Sequence, residues 1–169
     1  MNTTRRSYEA QVLLVPLGPD AARTQETFAA QGLDGVMTVL GVTAATAADG
    51  SRVALGSAPV GNLGWRPAAG NLDAPGLVDD ADMVVLLATD LAEVPAALCH
   101  AVAGAARDRG ALIATLVIGS ANWDTPRGST AMAALRGATD MLVVVRGAGL
   151  AVSFLDVLRG GARAPATVP

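Results

Sequence analysis

DDADMVVLLA at residues 79–88, ALIATLVIG at 111–119 and TDMLVVV at 139–145 decide how the chain folds. Each is an unbroken apolar run, without the polar alternation of a half-exposed strand. Between them lie two helical patterns, TDLAEVPAALCHAVAGAARDRG (89–110) and STAMAALRG (129–137). Apolar strands alternating with helices specify an α/β domain whose parallel sheet is buried on both faces. Ligands of such sheets sit where loops leave the carboxyl ends of the strands. The loops so placed are Thr89–Pro95, Gly119–Gly128 and Arg146–Gly149.

Upstream, Gln11–Leu17 (QVLLVPL) reads as the first strand and Gly18-Pro19-Asp20 as a turn into a helix. Pro19 suits a first helical position, and Asp20 complements the positive helix end. That helix runs to about Gln31, where Gly32 stops it, with Phe28 toward the sheet. Val36–Val42 is the second strand, and Arg52–Leu55 a short one. GSAPVGNLGWRPAAGNLDAPG (56–76) then reads as a long loop, either a flexible connection or a functional one. Asp79–Asp82 closes a short helix before the strand Met83–Ala88. Asp90 and Glu93 have the spacing of a capping box, with Pro95 moving the helix start toward Ala92. Leu91, Leu98, Val102 and Ala105 share one face of that helix, which Gly110 ends. Ser129 caps the next helix, Gly137 stops it, and Gly149–Arg159 is the last helix. Residues 1–8 and 161–169 read as tails flanking one domain at 9–160.

Of 169 residues, 51% are apolar and 16% charged, which is ample for a core. The N-terminal apolar run is short, is interrupted by Pro16 and lacks a cleavage site, so it reads as a strand rather than a signal peptide. No run is long enough for a membrane span. The single Cys99 excludes an internal disulfide framework and fits a cytoplasmic location. All 12 basic residues are Arg. With no Lys there is no Walker-type lysine, Schiff base or lysine general base. A net charge of −3 and only five aromatic residues argue against a nucleic-acid surface. Adjacent residues on a helix diverge, so Cys99 and His100 form no dyad. Cys99 is expected in the core and His100 at the surface, and one His with one Cys makes a zinc site implausible. Ser120, Ser129 and Ser153 lack a nucleophile elbow, and Asp79, Asp80 and Asp82 read as a solvated acidic loop.

In order and hydrophobic texture, about residues 11–158 resemble the nucleotide-binding domain of the FtsZ/tubulin family. DDADMVVLLA resembles the family's "ADMVF"-like strand, and AVAGAARDRGALIATLVI (101–118) its "VAEVAKDLGILTVAVVT"-like segment. ANWDTPRG (121–128) resembles an "FNFEGKKR"-like loop, and ATDMLVVV an "HVDSLITI"-like strand. LDGVMTVLGVTA is similar to the second strand, GNLGWRPAAGN stands at the third phosphate loop, and SFLDVL resembles the start of the central helix. The resemblance implies a single three-layer domain around a mostly parallel, Rossmann-like sheet.

The departures from the family concern function. Where the family carries GGGTGTG, whose backbone N–H groups approach phosphate, this chain has ATDLAEVP. Asp90 and Glu93 stand where phosphate charge would lie, and like charges oppose it by roughly a kcal/mol each near a surface. The first phosphate loop is reduced to Leu17-Gly18-Pro19-Asp20. Asp124 stands in place of a ribose-contacting Glu, Arg127 near the family's basic contacts, and Trp123 could stack on a base. The residual crevice implied comprises Gly18, Asp20, Gly64, Trp65, Arg66, Thr89, Asp90, Glu93, Asn122, Trp123, Asp124 and Arg127. The plainer roles are helix capping for Asp90 and Glu93, and a surface loop anchored by Trp123. The family's hydrolytic acids lie beyond the central helix, and the resemblance, which stops at about residue 158, implies no counterpart to them within the matched stretch.

The sequence-level expectation is a degenerate FtsZ-like domain without GTPase activity or catalytic residues. It requires no cofactor, with GTP and GDP disfavoured, and serves as a subunit binding itself or another protein. The alternative is a small-ligand or nucleoside binder, including a cation-bearing metabolite matched to Asp20, Asp90 and Glu93. An enzyme of unrecognised chemistry is the third class.

Overall fold

A computed structural model describes residues 10–31, 36–40, 56–59, 74–79, 81–158 and 160. The strands are β1 (Val12–Pro16), β2 (Val36–Leu40), β3 (Gly56–Pro59), β4 (Met83–Asp90), β5 (Leu112–Ala121) and β6 (Met141–Val145). The helices are α1 (Pro19–Gln31), α2 (Ala74–Leu77), α3 (Ala96–Arg109), α4 (Pro126–Ala138) and α5 (Ala148–Leu158). The sheet order is β3-β2-β1-β4-β5-β6, with every neighbouring pair parallel except β2 and β3. That order and the helix layers make a Rossmann-like α/β domain, reversing direction between β1 and β4.

The apolar runs of β4 and β5 are largely buried as their composition requires, whereas β6, an edge strand, is not buried on both faces and leaves Met141 and Val144 exposed. Val84, Val85, Leu86 and Leu87 of β4 are completely inaccessible. Alternate residues feed two cores. Leu13, Val84, Leu86, Ile113 and Val117 pack with α2, α3 and α4, whereas Leu14, Val85, Leu87 and Leu116 pack with α1 and α5. The sheet is therefore covered on both faces. Phe28 of α1 and Leu135 of α4 are fully buried, and each such side chain contributes about 1.5–3 kcal/mol.

Several local boundaries differ from the sequence expectations. GSAP at 56–59 is an antiparallel edge strand rather than loop, held by backbone pairing with β2 although its residues have little β preference. The helix after β4 does not begin near Ala92. Leu91–Glu93 makes a 3-10 turn, and α3 starts at Ala96 with Pro95 as its N-cap. The short helix before β4 ends at Leu77, not within Asp79–Asp82. Ser129 lies inside α4, which Thr125 caps. Gly137 also lies inside it, and Thr139 is the C-cap. Gly110 does end α3 in a left-handed conformation, giving its N–H to the Ala106 and Arg107 carbonyls. The proposed Arg52–Leu55 strand and both tails lie outside the described residues.

Candidate functional site

Gly18, Asp20, Thr89 and Glu93 meet at the switch point between the carboxyl ends of β1 and β4. Gly18 is the residue before α1, and its carbonyl accepts the first helical bond from the Ala22 N–H at 3.0 Å. It has no side chain to cap the helix, and Pro19 has no N–H. The first free donor of α1 is therefore the Asp20 N–H. It is taken by Glu93 Oε2 at 3.0 Å, from 73 residues along the chain. A carboxylate at a helix N-terminus sits in the favourable end of the helix dipole, the place where anion-binding folds hold phosphate.

Gly18 is required by that contact. Its φ is +111°, and an added Cβ would stand 2.6 Å from Glu93 Cβ and 2.8 Å from Glu93 Oε2. Asp20 points its own carboxylate outward, to Arg23 at 3.2 Å. The Thr89 hydroxyl beside it is the main influence lowering the Asp20 pKa, opposed by partial desolvation and assisted by Arg23. That hydroxyl is buried and completes no hydrogen bond of normal geometry.

Asp90 belongs to a second cluster. Its Oδ1 accepts from the Ala92 N–H at 3.0 Å, capping the 3-10 turn, and also from Asn122 Nδ2. Asp90 and Glu93 therefore do not form the reciprocal box that their spacing predicts. Asp90 caps its own turn while Glu93 caps α1. Asn122 is left-handed, with φ 61°. Its carbonyl accepts from Thr125 Oγ1 at 2.8 Å, and Thr125 Oγ1 accepts from the Gly128 N–H at 3.0 Å. Thr125 and Gly128 were missed as positioning residues. Threonine immediately before Pro126 was the available signal, because Pro favours the first helical position and Thr the cap.

Trp123 and Asp124 are exposed on the turn after β5, and Arg127 is exposed in the first turn of α4. Arg127 also borders a cleft of about 390 Å³ between the starts of α3 and α4, floored by Leu91, Val94 and Ala131. The sequence-derived crevice is therefore two capped clusters and a separate cleft. Gly64, Trp65 and Arg66 lie outside the described residues.

No protein-family model and no curated protein matches the chain.

The remaining reactive groups stand apart from these loops. Cys99 is fully buried, and burial pushes its thiol up to about 12, so it carries no thiolate at neutral pH. His100 is exposed on α3. Among the described residues, no group of three His, Cys, Asp or Glu side chains is placed to hold a metal. No described helix is long and apolar enough to cross a membrane. Two arginines have structural work. Arg107 donates to the Ala138 carbonyl at 2.9 Å near the end of α4. Arg109 bridges to Asp79 at 3.3 Å.

Proposed function

We propose that this chain is a degenerate FtsZ/tubulin-like domain without GTPase activity, serving as a protein-binding or structural subunit. The observation that carries the reading is Glu93 on the Asp20 N–H. In a doubly wound sheet the first β–α loop offers its helix N-terminus to phosphate, and this chain fills that position with its own carboxylate. A triphosphate would have to displace Glu93 and accept the charges of Asp20 and Asp90 nearby. What remains is a packed scaffold with Met141, Val144, Leu150 and Val157 exposed on its last strand and helix. Apolar surface of that kind supports contact with another chain.

Isothermal titration of GTP, GDP and guanosine with magnesium tests this directly. Silence for all three is expected. Micromolar binding of GTP would overturn the reading, because Glu93 would then have to leave α1.

A second reading, a small-ligand binder, draws on the cleft between α3 and α4. Its volume of about 390 Å³ lies within the range of small-molecule sites, and Arg127 sits at its rim. A ligand held there at a hundred times its Kd would stabilise the fold by about 2.7 kcal/mol in a thermal-shift screen. The cation-bearing ligand expected from three converging acids is less well supported. Glu93 turns to α1, Asp90 to Asn122 and Asp20 to Arg23.

A further inference from the structure

The two edges of the sheet are not alike. At one end, β3 is four residues long and contains Gly56 and Pro59, features that discourage further pairing. At the other end, β6 reads MLVVV, with no charge, proline or glycine within it. Met141 is 40% exposed and Val144 46%, although both lie in the apolar strand. No described strand pairs with the outer side of β6. An apolar edge without blocking residues is a template for another strand.

We infer that this edge pairs with β6 of a second copy of the chain, antiparallel about a two-fold axis at Val143. It rests on the reading above in giving the chain a protein partner, and it names that partner. In an edge strand, alternate residues turn their N–H and C=O groups outward. A two-fold antiparallel partner must therefore register on an even sum of residue numbers. Centring on Val143 satisfies this and pairs Met141 with Val145 and Leu142 with Val144, using the whole strand.

The same register aligns the flanking charges. Asp140 and Arg146 bracket β6, are both exposed, and come opposite each other twice in the pair; the Asp140 carboxylate also accepts from the Ile113 N–H on the β5 side at 3.4 Å, a long contact that leaves its other oxygen for Arg146. Arg146 has no ion-pair partner among the described residues. Moving the axis to Leu142 sets Asp140 against Val144 and Arg146 against Ala138. Moving it to Val144 sets Asp140 against Ala148 and Arg146 against Leu142. Only the Val143 centre joins the charges, and an isologous interface requires this kind of self-complementarity. Beside the edge, α5 packs on β5 and β6 and exposes Leu150 (59%) and Val157 (71%), seven residues apart and so on one helix face.

Sedimentation of the full chain over about a hundredfold range of concentration tests the pairing by mass action. The wild type is expected to be a dimer. Arg146→Asp sets two carboxylates opposite at both ends and should weaken the dimer about tenfold or more. The exchange Asp140→Arg with Arg146→Asp should restore it. Val144→Lys, which places charge in the strand itself, should give a folded monomer by circular dichroism. A monomeric wild type, or a dimer indifferent to Arg146→Asp, overturns the inference. The titration above separates this result from the reading beneath it. A monomer that ignores GTP removes self-pairing alone. A dimer that binds GTP supports the pairing while removing the pseudo-GTPase reading.

Discussion

Replacing Gly128 with alanine tests the cluster that fixes the loop after β5. A Cβ on Gly128 would fall 1.7 Å from the backbone oxygen of Asn122. That oxygen must retreat by roughly 1.5–2 Å to reach van der Waals contact. It cannot do so while accepting from Thr125 Oγ1 at 2.8 Å, nor can Asn122 then hold Asp90 in its present geometry. A neutral hydrogen bond contributes about 1 kcal/mol net, and one to a carboxylate about 1.5–3. Loss of both gives roughly 2–4 kcal/mol, offset by up to about 1 kcal/mol from the better helix propensity of alanine. The net loss is about 2 kcal/mol, and at this chain length the midpoint of thermal unfolding should fall by about 4–8 °C. Gly104→Ala is the control. Gly104 lies in the middle of α3 with nothing within 4 Å of its would-be Cβ. It should gain about 0.5–1 kcal/mol and melt higher. The two variants melted side by side by circular dichroism should move in opposite directions. If Gly128→Ala melts with or above the wild type, Asn122 is not seated on Gly128 and the loop after β5 is not fixed by this cluster.

Glu93→Gln keeps an acceptor for the Asp20 N–H but removes the charge, and should cost about 0.3–1 kcal/mol through the helix dipole. Glu93→Ala should cost more. If Glu93 is what excludes phosphate, titration of Glu93→Ala with inorganic phosphate should shift the Asp20 amide resonance saturably, while the wild type stays unmoved. Equal shifts in both would count against the occupied-site argument. Cys99 should resist thiol reagents in the native protein and react on unfolding, because its thiol is buried and its pKa raised to about 12. Above the unfolded pKa near 9 the unfolded chain releases the proton that the folded one keeps, so stability should fall as pH rises from about 9 toward 12. Cys99→Ala should remove that part of the pH dependence in urea unfolding curves.

The fold was legible because its strongest determinants are local. MVVLL and LIATLVI lack alternation because both sheet faces are covered there, and α3 between them ends at Gly110, a residue suited to ending it. β3 was illegible for the opposite reason. Nothing in GSAP favours a strand, and its pairing is decided by β2 alongside it. The caps show the same division. Thr125 before Pro126 is a local signal, whereas Glu93 caps a helix 73 residues away and only the assembled sheet brings the two together. Sequence spacing suggested an Asp90–Glu93 box. The break at Val94-Pro95 ends the turn after three residues, and Glu93 reaches α1 instead.

That rerouting bears on what the domain requires to fold. A doubly wound sheet gathers helix N-termini at the carboxyl ends of its strands, and the positive ends of those dipoles are stabilised by negative charge. A nucleotide-binding domain leaves that demand for its ligand to meet. Here Glu93 meets it at α1 and Asp90 at the 3-10 turn, while the neutral Thr125 hydroxyl caps α4, each with a bond of 3.0 Å to the backbone. Since these caps come from the chain itself, the stability of the domain is not coupled through them to a phosphate ligand. The Glu93 carboxylate that takes the Asp20 N–H stabilises the helix it caps, from the far side of the β1–β4 switch point.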